Sequence, residues 1–300
     1  MLVTGAHGFV GGHVAAAVRA GVYGSDAQFL AAPEGLDIRD EAGLAALIEE
    51  SKPDSVLHLA AQSFVPRSFE NPRETFEINA IGTLNLLVAL KRSGFAGRFV
   101  YASSGDVYGR VPESELPVSE SRIPEPLSPY AASKIAAEQL CLQWHRSEGW
   151  DAIVARPFNH IGPGQDARFV VPALARQVVA IASGKRPPVV DAGDIDTTRD
   201  FTDVRDIAAA YASILRHGRP GRIYVVGSGQ ERKVRDLLWT MCELAGIKAE
   251  VRQDPAKLRP TEQRRMAADA SLLREDTGWS PSITIETTLS DILKYTRTHP

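Results

Sequence analysis

Short apolar runs alternate with longer segments of helical period along the first half of the chain. MLVTG, AQFLAA, SVLHLAA, RFVYASS and DAIVARP, with RIYVVGS further on, have the length and composition of strands buried on both faces. VGGHVAAAVRA, DEAGLAALIEES, TFEINAIGTLNLLVALKRSG and PYAASKIAAEQLCLQWHRSEG lie between them with the length and period of helices. Strand–helix alternation with crossovers of that size predicts an α/β fold built on a doubly wound parallel sheet.

After about Arg156 the pattern breaks. PFNHIGPGQDARF, SGKRPPVVDAGDIDTTRDF and QDPAKLRPTEQRRM are richer in Gly, Pro and charge, and two strand–helix returns, VRDIAAAYASILRHG and RIYVVGSG, interrupt them. This predicts two discontinuous parts. Residues 1–156 and about 200–228 form a dinucleotide-binding domain, and about 157–199 and 229–300 a smaller α/β substrate lobe.

Composition narrows the partners. A hydrophobic fraction of 44% and a charged fraction of 24% are ordinary for a globular chain of 300 residues. A net charge of -3 gives no electrostatic case for nucleic acid or an anionic membrane. No apolar run reaches spanning length, and no basic segment precedes an apolar leader, so a cytoplasmic protein is expected. Cys141 and Cys242 stand far apart, outside any metal-ligand spacing, and read as buried structural thiols with no metal.

Gly5, Gly8 and Gly11 form G-x-x-G-x-x-G between the first strand and the first helix. Glycine there allows a tight turn and close approach of backbone to a diphosphate, while the helix N-terminus offers N–H groups to the anion. That context predicts a Rossmann-type NAD(P) site. AQFLAAP then runs almost directly into EGLDIRD, so one helix and one strand of the usual unit are missing; Asp37 and Ile38 are the candidates at the adenine ring. Glu34 is as readily a solvated loop carboxylate as a ribose ligand, and NAD versus NADP stays open.

Tyr130 and Lys134 form Y-x-x-x-K, which on a helix puts both side chains on one face, one turn apart. An adjacent ammonium is expected to lower the phenol's proton affinity so that it exchanges a proton with a substrate oxygen near neutral pH. Ser104, at the exit of the RFVYASS strand, is placed to donate a hydrogen bond to the same oxygen.

Taken in order, the glycine loop, Ser104 and Tyr130-x-x-x-Lys134 resemble the short-chain dehydrogenase/reductase superfamily, and HLAAQSFVPRSFENP, INAIGTLNLL and SSGDVYG resemble its extended, nucleotide-sugar branch. The resemblance implies cofactor contacts from Gly5, Gly8, Phe9, Val10, Gly11, Asp37, Ile38, Leu59, Ala60, Ala61, Tyr130 and Lys134, with Lys134 on the nicotinamide ribose. RPFNHIGPGQ, RDFTDVRD and LRPTE are similar to substrate segments of GDP-mannose 4,6-dehydratases, and more so to those of GDP-6-deoxy-D-mannose reductases. By position this implies that Ser63, Ser104, Asp106, Asn159, Val170, Arg199, Arg259 and Glu262 bind substrate, the arginines and Glu262 serving diphosphate and ribose. His160 needs no catalytic role in that motif. Arg252, Arg264 and Arg265 lie in the same basic stretch and read as surface charge. Paired long helices around residues 74–92 and 130–147 imply, again by resemblance, a homodimer.

Dehydratases carry a Thr, then Asp or Ser, then Glu, where this chain has Ser104, Gly105 and Asp106. Gly105 has no proton to give and Asp106 is a methylene shorter than Glu, which disfavours elimination. With reduction favoured over elimination, the resemblance implies NAD(P)H-dependent reduction of GDP-4-keto-6-deoxy-D-mannose to GDP-D-rhamnose. A GDP-mannose 4,6-dehydratase, an epimerase and a non-catalytic cofactor sensor are the alternatives.

Overall fold

The computed structural model describes residues 1–254 and 263–299. In chain order its first half contains β1 (Leu2–Thr4), α1 (Phe9–Arg19), β2 (Leu30–Ala31), α2 (Glu41–Ser51), β3 (Ser55–His58), α3 (Val65–Glu70), α4 (Pro72–Phe76), a π-helical turn (Glu77–Ile81), α5 (Gly82–Arg92), β4 (Arg98–Ala102) and α6 (Pro129–Glu148). There follow β5 (Asp151–Pro157), β6 (Asn159–Ile161), α7 (Val170–Ala182), β7 (Val189–Ala192), β8 (Thr198–Asp203), α8 (Val204–His217) and β9 (Ile223–Val226). The chain closes with β10 (Glu231–Lys233), α9 (Val234–Ala245), β11 (Glu250–Gln253), α10 (Ser271–Thr277) and α11 (Ile285–Thr298).

The apolar runs assemble into one parallel six-stranded sheet in the order β2-β1-β3-β4-β5-β9. Side-chain alternation covers both faces. Val3, Leu57, Val100, Ala102 and Ile153 pack toward α1, α8 and α10, while Leu2, Val56, Phe99, Tyr101 and Val154 pack toward α2, α5 and α6. The order reverses between β1 and β3, and ligands of such sheets bind outside the strand ends at that reversal. Two-residue β2 is the edge, with α2 directly after it, so the strand missing from the sequence pattern is missing from the sheet.

The second half is more regular than its composition suggests. β10, β8 and β6 form a three-stranded sheet, β11 pairs with β7, and α7, α9 and α11 close over a separate core that includes Val171, Leu174, Val178, Leu237, Leu238, Met241, Leu289 and Ile292. Pro172 sits in the first turn of α7, where a missing N–H interrupts no helical bond. Asp200, fully buried on β8, accepts the N–H groups of Ser228 at 2.8 Å, Gly229 at 2.8 Å and Ala268 at 3.1 Å, tying β8 to the β9 exit and to the returning chain.

Candidate active site

At the sheet's reversal the glycine loop is fixed by close backbone approach. Gly5 holds φ +69°, and a Cβ there would lie 2.8 Å from the Ala60 nitrogen and 3.0 Å from the Leu59 carbonyl carbon. A Cβ on Gly11 would lie 2.4 Å from the Gly5 oxygen. Gly8 caps α1 with no side-chain acceptor, so the first-turn N–H groups beside Phe9 and Val10 have no capping oxygen from it. This loop therefore fits a dinucleotide diphosphate. Leu59 donates its N–H to the Thr4 carbonyl at 3.2 Å, and Ala60 to the Thr4 hydroxyl at 3.3 Å, which lays 59–61 along the loop; Ser63 beyond them is exposed.

Of the adenine candidates, Asp37 is exposed and forms a two-pronged ion pair with Arg39, whose Nη2 lies 2.5 Å from Oδ2. Hydrogen bonding from that guanidinium holds the Asp37 carboxyl below its usual range. Ile38 turns its side chain into the core against Gly82. Glu34 is exposed.

The candidate reacting groups converge from two elements. Ser128 caps α6, accepting the Ala131 N–H at 3.1 Å, and Pro129 occupies the first turn, which sets Tyr130 and Lys134 at its start. Ser104 lies two residues beyond β4, accepts the Asp106 N–H at 3.1 Å, and acts through its hydroxyl to favour the Tyr130 phenolate. Lys134 is buried, donates to the Ala102 carbonyl at 2.8 Å and lies 4.9 Å from the Tyr101 ring centre. Burial lowers its proton affinity to about 8, opposed by the charge of Glu138.

The expectation for the phenol is corrected here. Tyr130 titrates well above the ordinary phenol range, because burial disfavours the phenolate and the Asp106 carboxylate adds to that, outweighing the pull of the Ser104 hydroxyl. The Lys134 ammonium is 6.0 Å from the Tyr130 ring centre and spends a proton on a carbonyl instead. Tyr130 is thus kept in its protonated form.

A buried polar chain braces this corner. Thr83 donates to the Asn79 carbonyl at 2.6 Å, so His58 Nε2–H donates to Thr83 at 2.9 Å and Nδ1 accepts from Thr4 at 2.6 Å. Burial, reinforced by Lys134, pushes His58 down to about 3 and keeps it neutral. Asn79, in the π-helical turn, accepts the Gln62 N–H at 2.8 Å and donates to Ser133 at 2.9 Å, which in turn donates to the Tyr130 carbonyl at 2.7 Å.

Beside Ser104, a Cβ on Gly105 would lie 2.7 Å from Cδ2 of Phe158. The ring fills the space a side chain at 105 would enter, and Asp106 is exposed next to it. His160 stacks on Phe9 with ring centres 6.1 Å apart, and His13 bonds the Pro163 carbonyl at 2.9 Å, joining the glycine loop to the 158–163 segment. Asn159 and Val170 are exposed at the starts of β6 and α7. Arg199, half-buried on β8, donates to its neighbour's carbonyl, Thr198 O, at 2.7 Å. Arg259 and Glu262 lie outside the described residues. Arg265 is ion-paired with Glu231 and Glu113, and Arg252 with Asp191, as surface charges. Cys141 and Cys242 are free and buried, and no group of metal-ligating residues occurs among the described residues.

Phe158, His58, Asn79, Glu138 and Arg156 escaped the sequence reading. For Glu138 a signal existed, since it continues Tyr130 and Lys134 at helical spacing on the buried face.

Comparison with known proteins places these features in context. The family model described as GDP-mannose 4,6 dehydratase matches residues 32–292. The GDP-6-deoxy-D-mannose reductase of Pseudomonas aeruginosa is 48% identical over 98% of this chain and 95% of its own. A GDP-mannose 4,6-dehydratase of Yersinia enterocolitica is 31% identical over 83% of this chain and 74% of its own. Among solved structures, RMD from P. aeruginosa complexed with NADPH superposes with a TM-score of 0.93 at 45% identity, covering 100% of this chain and 99% of that one. A Thermus thermophilus UDP-glucose 4-epimerase complexed with NAD has a TM-score of 0.86 at 33% identity, covering 99% and 98%.

Proposed function

The chain belongs to the extended short-chain dehydrogenase/reductase family of nucleotide-sugar enzymes, and on that premise we propose that it reduces the 4-keto group of GDP-4-keto-6-deoxy-D-mannose to give GDP-D-rhamnose. The observation that carries this reading is the corner at Ser104–Asp106. Ser104, Tyr130 and Lys134 are together, while position 105 has no side chain and Phe158 occupies the space for one. Elimination of water needs an acid there, and reduction of a ketone does not. Similarity to the P. aeruginosa reductase over nearly the whole chain supports the same choice.

The glycine loop with Leu59–Ala61 would hold NADPH or NADH, which supplies the hydride when bound. Tyr130, kept protonated by burial, gives its proton to the C4 oxygen as charge develops on it. Ser104, whose hydroxyl already acts on Tyr130, donates to the same oxygen. Lys134 is anchored by the Ala102 carbonyl, and its charge favours the phenolate left behind by proton transfer. Asp106, exposed beside the corner, binds sugar hydroxyls, and Asn159, Val170 and Arg199 line the path toward the GDP moiety. A homodimer is part of the proposal, supported by Phe69, Phe76 and Ile81 standing exposed along α3, α4 and the π-helical turn. Light scattering of Ile81→Asp should return a monomer. A cytoplasmic location completes the reading, with no helix among the described residues long and apolar enough to cross a membrane.

The decisive assay supplies GDP-4-keto-6-deoxymannose with NADPH or NADH and follows nicotinamide absorbance. Oxidation of the cofactor is expected. No oxidation, together with turnover of GDP-mannose without added reductant, would replace this reading by the dehydratase.

A further inference from the structure

Behind Lys134 the same face of α6 carries a second charge for which the proposed reaction has no direct use. Glu138 lies one turn further on and is fully buried. Its carboxylate is gripped by Arg156 of β5, with Nε to Oε1 at 2.9 Å and Nη2 to Oε2 at 2.6 Å. Arg156 also donates to the Tyr108 hydroxyl at 3.0 Å, its guanidinium 5.0 Å from that ring's centre. Stability alone gives little reason for such a pair, since well-packed apolar residues serve a core at least as well.

The groups packed around Lys134 show what the pair does. From β4 come the Ala102 carbonyl and the Tyr101 ring, and from β3 the imidazole of His58. From α6 itself come Tyr130, Glu138 and Cys141; Asp106 acts on Tyr130 from the corner, and Arg156 stands behind Glu138. Burial keeps Tyr101, Tyr130 and Cys141 protonated, and His58 neutral, so none of these adds a negative charge. Glu138 does, one helical turn along α6 from Lys134.

We propose that Glu138, locked in place by Arg156, is a positioning residue for the reduction, holding Lys134 as a charged ammonium in a buried site that would otherwise strip its proton. The inference rests on the reductase reading for its consequence, but its physical content concerns Lys134 alone.

The test is a pH titration of the Lys134 13Cε resonance, assigned by its disappearance in Lys134→Met, on the full chain without substrate. The wild-type midpoint is expected near 8. Glu138→Gln should lower it by about one pH unit, leaving roughly tenfold less ammonium at a given alkaline pH. Glu138→Gln combined with Arg156→Met avoids a lone buried guanidinium and should lower the midpoint in the same direction. The alkaline limb of kcat/KM should move with the resonance. A folded variant with an unchanged midpoint, or loss of the fold in both variants, assigns the pair to structure alone and overturns the proposal. Because the titration uses no substrate, a wild-type enzyme that fails to oxidise NADPH would sink the reductase reading and leave this result standing.

Discussion

The two ends of the proposed site are built in opposite ways. Around Tyr130 and Lys134 the side chains are buried and bonded to backbone and to one another, so that burial itself sets their proton affinities. Around Asn159, Val170 and Arg199 the side chains stand exposed or half-buried on short strands and a helix start. Proton transfer needs a fixed donor in a dry setting, where a neighbouring charge counts for most. Recognition of a diphosphate needs guanidinium forks that reach solvent, because the anion arrives hydrated. The first end should respond to mutation through rate, and the second through affinity.

The largest effect tests the dry end. Tyr130→Phe removes the proton donor with little change in shape, and kcat should fall by about a thousandfold, within the usual range for a general acid. NADPH affinity, read by fluorescence titration, should hold within a factor of about three. A variant keeping most of the wild-type kcat would show that the proton comes from elsewhere. Next comes Gly11→Ala, which sets a methyl carbon 2.4 Å from the Gly5 oxygen. The backbone on both sides cannot yield as a side chain would, so a cost of about 1–3 kcal/mol is expected. It should appear as a lower Tm and as ten- to hundredfold weaker NADPH binding, by about the same free energy.

The pH dependence separates the two ends without mutation. Lys134 is protonated below about 8 and loses its charge above it, so kcat/KM should fall as pH rises through that value, toward tenfold per unit. Its depressed proton affinity also costs stability while the ammonium is buried. That cost is present in full below about 8 and is relieved as pH rises from there toward the unfolded value near 10.5. Activity and stability should therefore move in opposite directions across that window. The same direction for both would remove Lys134 as the titrating group.

How far the sequence anticipates all this follows the same division. The large sheet was legible because parallel strands buried on both faces are apolar runs, and the interleaved helices carry their own period. Ser104, Tyr130 and Lys134 were legible from their order along the chain. The state of Tyr130 was not, since desolvation is set by what packs over the ring and leaves no mark at position 130 itself. The pairing of Glu138 with Arg156 was hidden for a related reason: a charge on a helix or at the end of a strand is read as solvent-facing, and only the fold shows both buried against each other. In the second half, β6 and β10 are the three-residue stretches NHI and ERK, too short and polar to form a pattern, and Pro172 masks the start of α7.

The smallest expected effect tests the wet end. Arg199 sits on β8 with its backbone in the ladder to β10, opposite Arg232, so truncation to Ala leaves the strand pairing intact. Its guanidinium is proposed to meet the GDP diphosphate, and a hydrogen bond to a charged group is worth about 1.5–3 kcal/mol. Arg199→Ala should therefore raise KM for the nucleotide sugar about tenfold or more, with kcat within roughly a factor of two, the signature of binding shared by ground and transition states. Arg199→Lys keeps the charge without the fork and should fall between. A fall in kcat matching the rise in KM would mean that the wet end also orients the reacting carbon, and the division between rate and affinity would fail at Arg199.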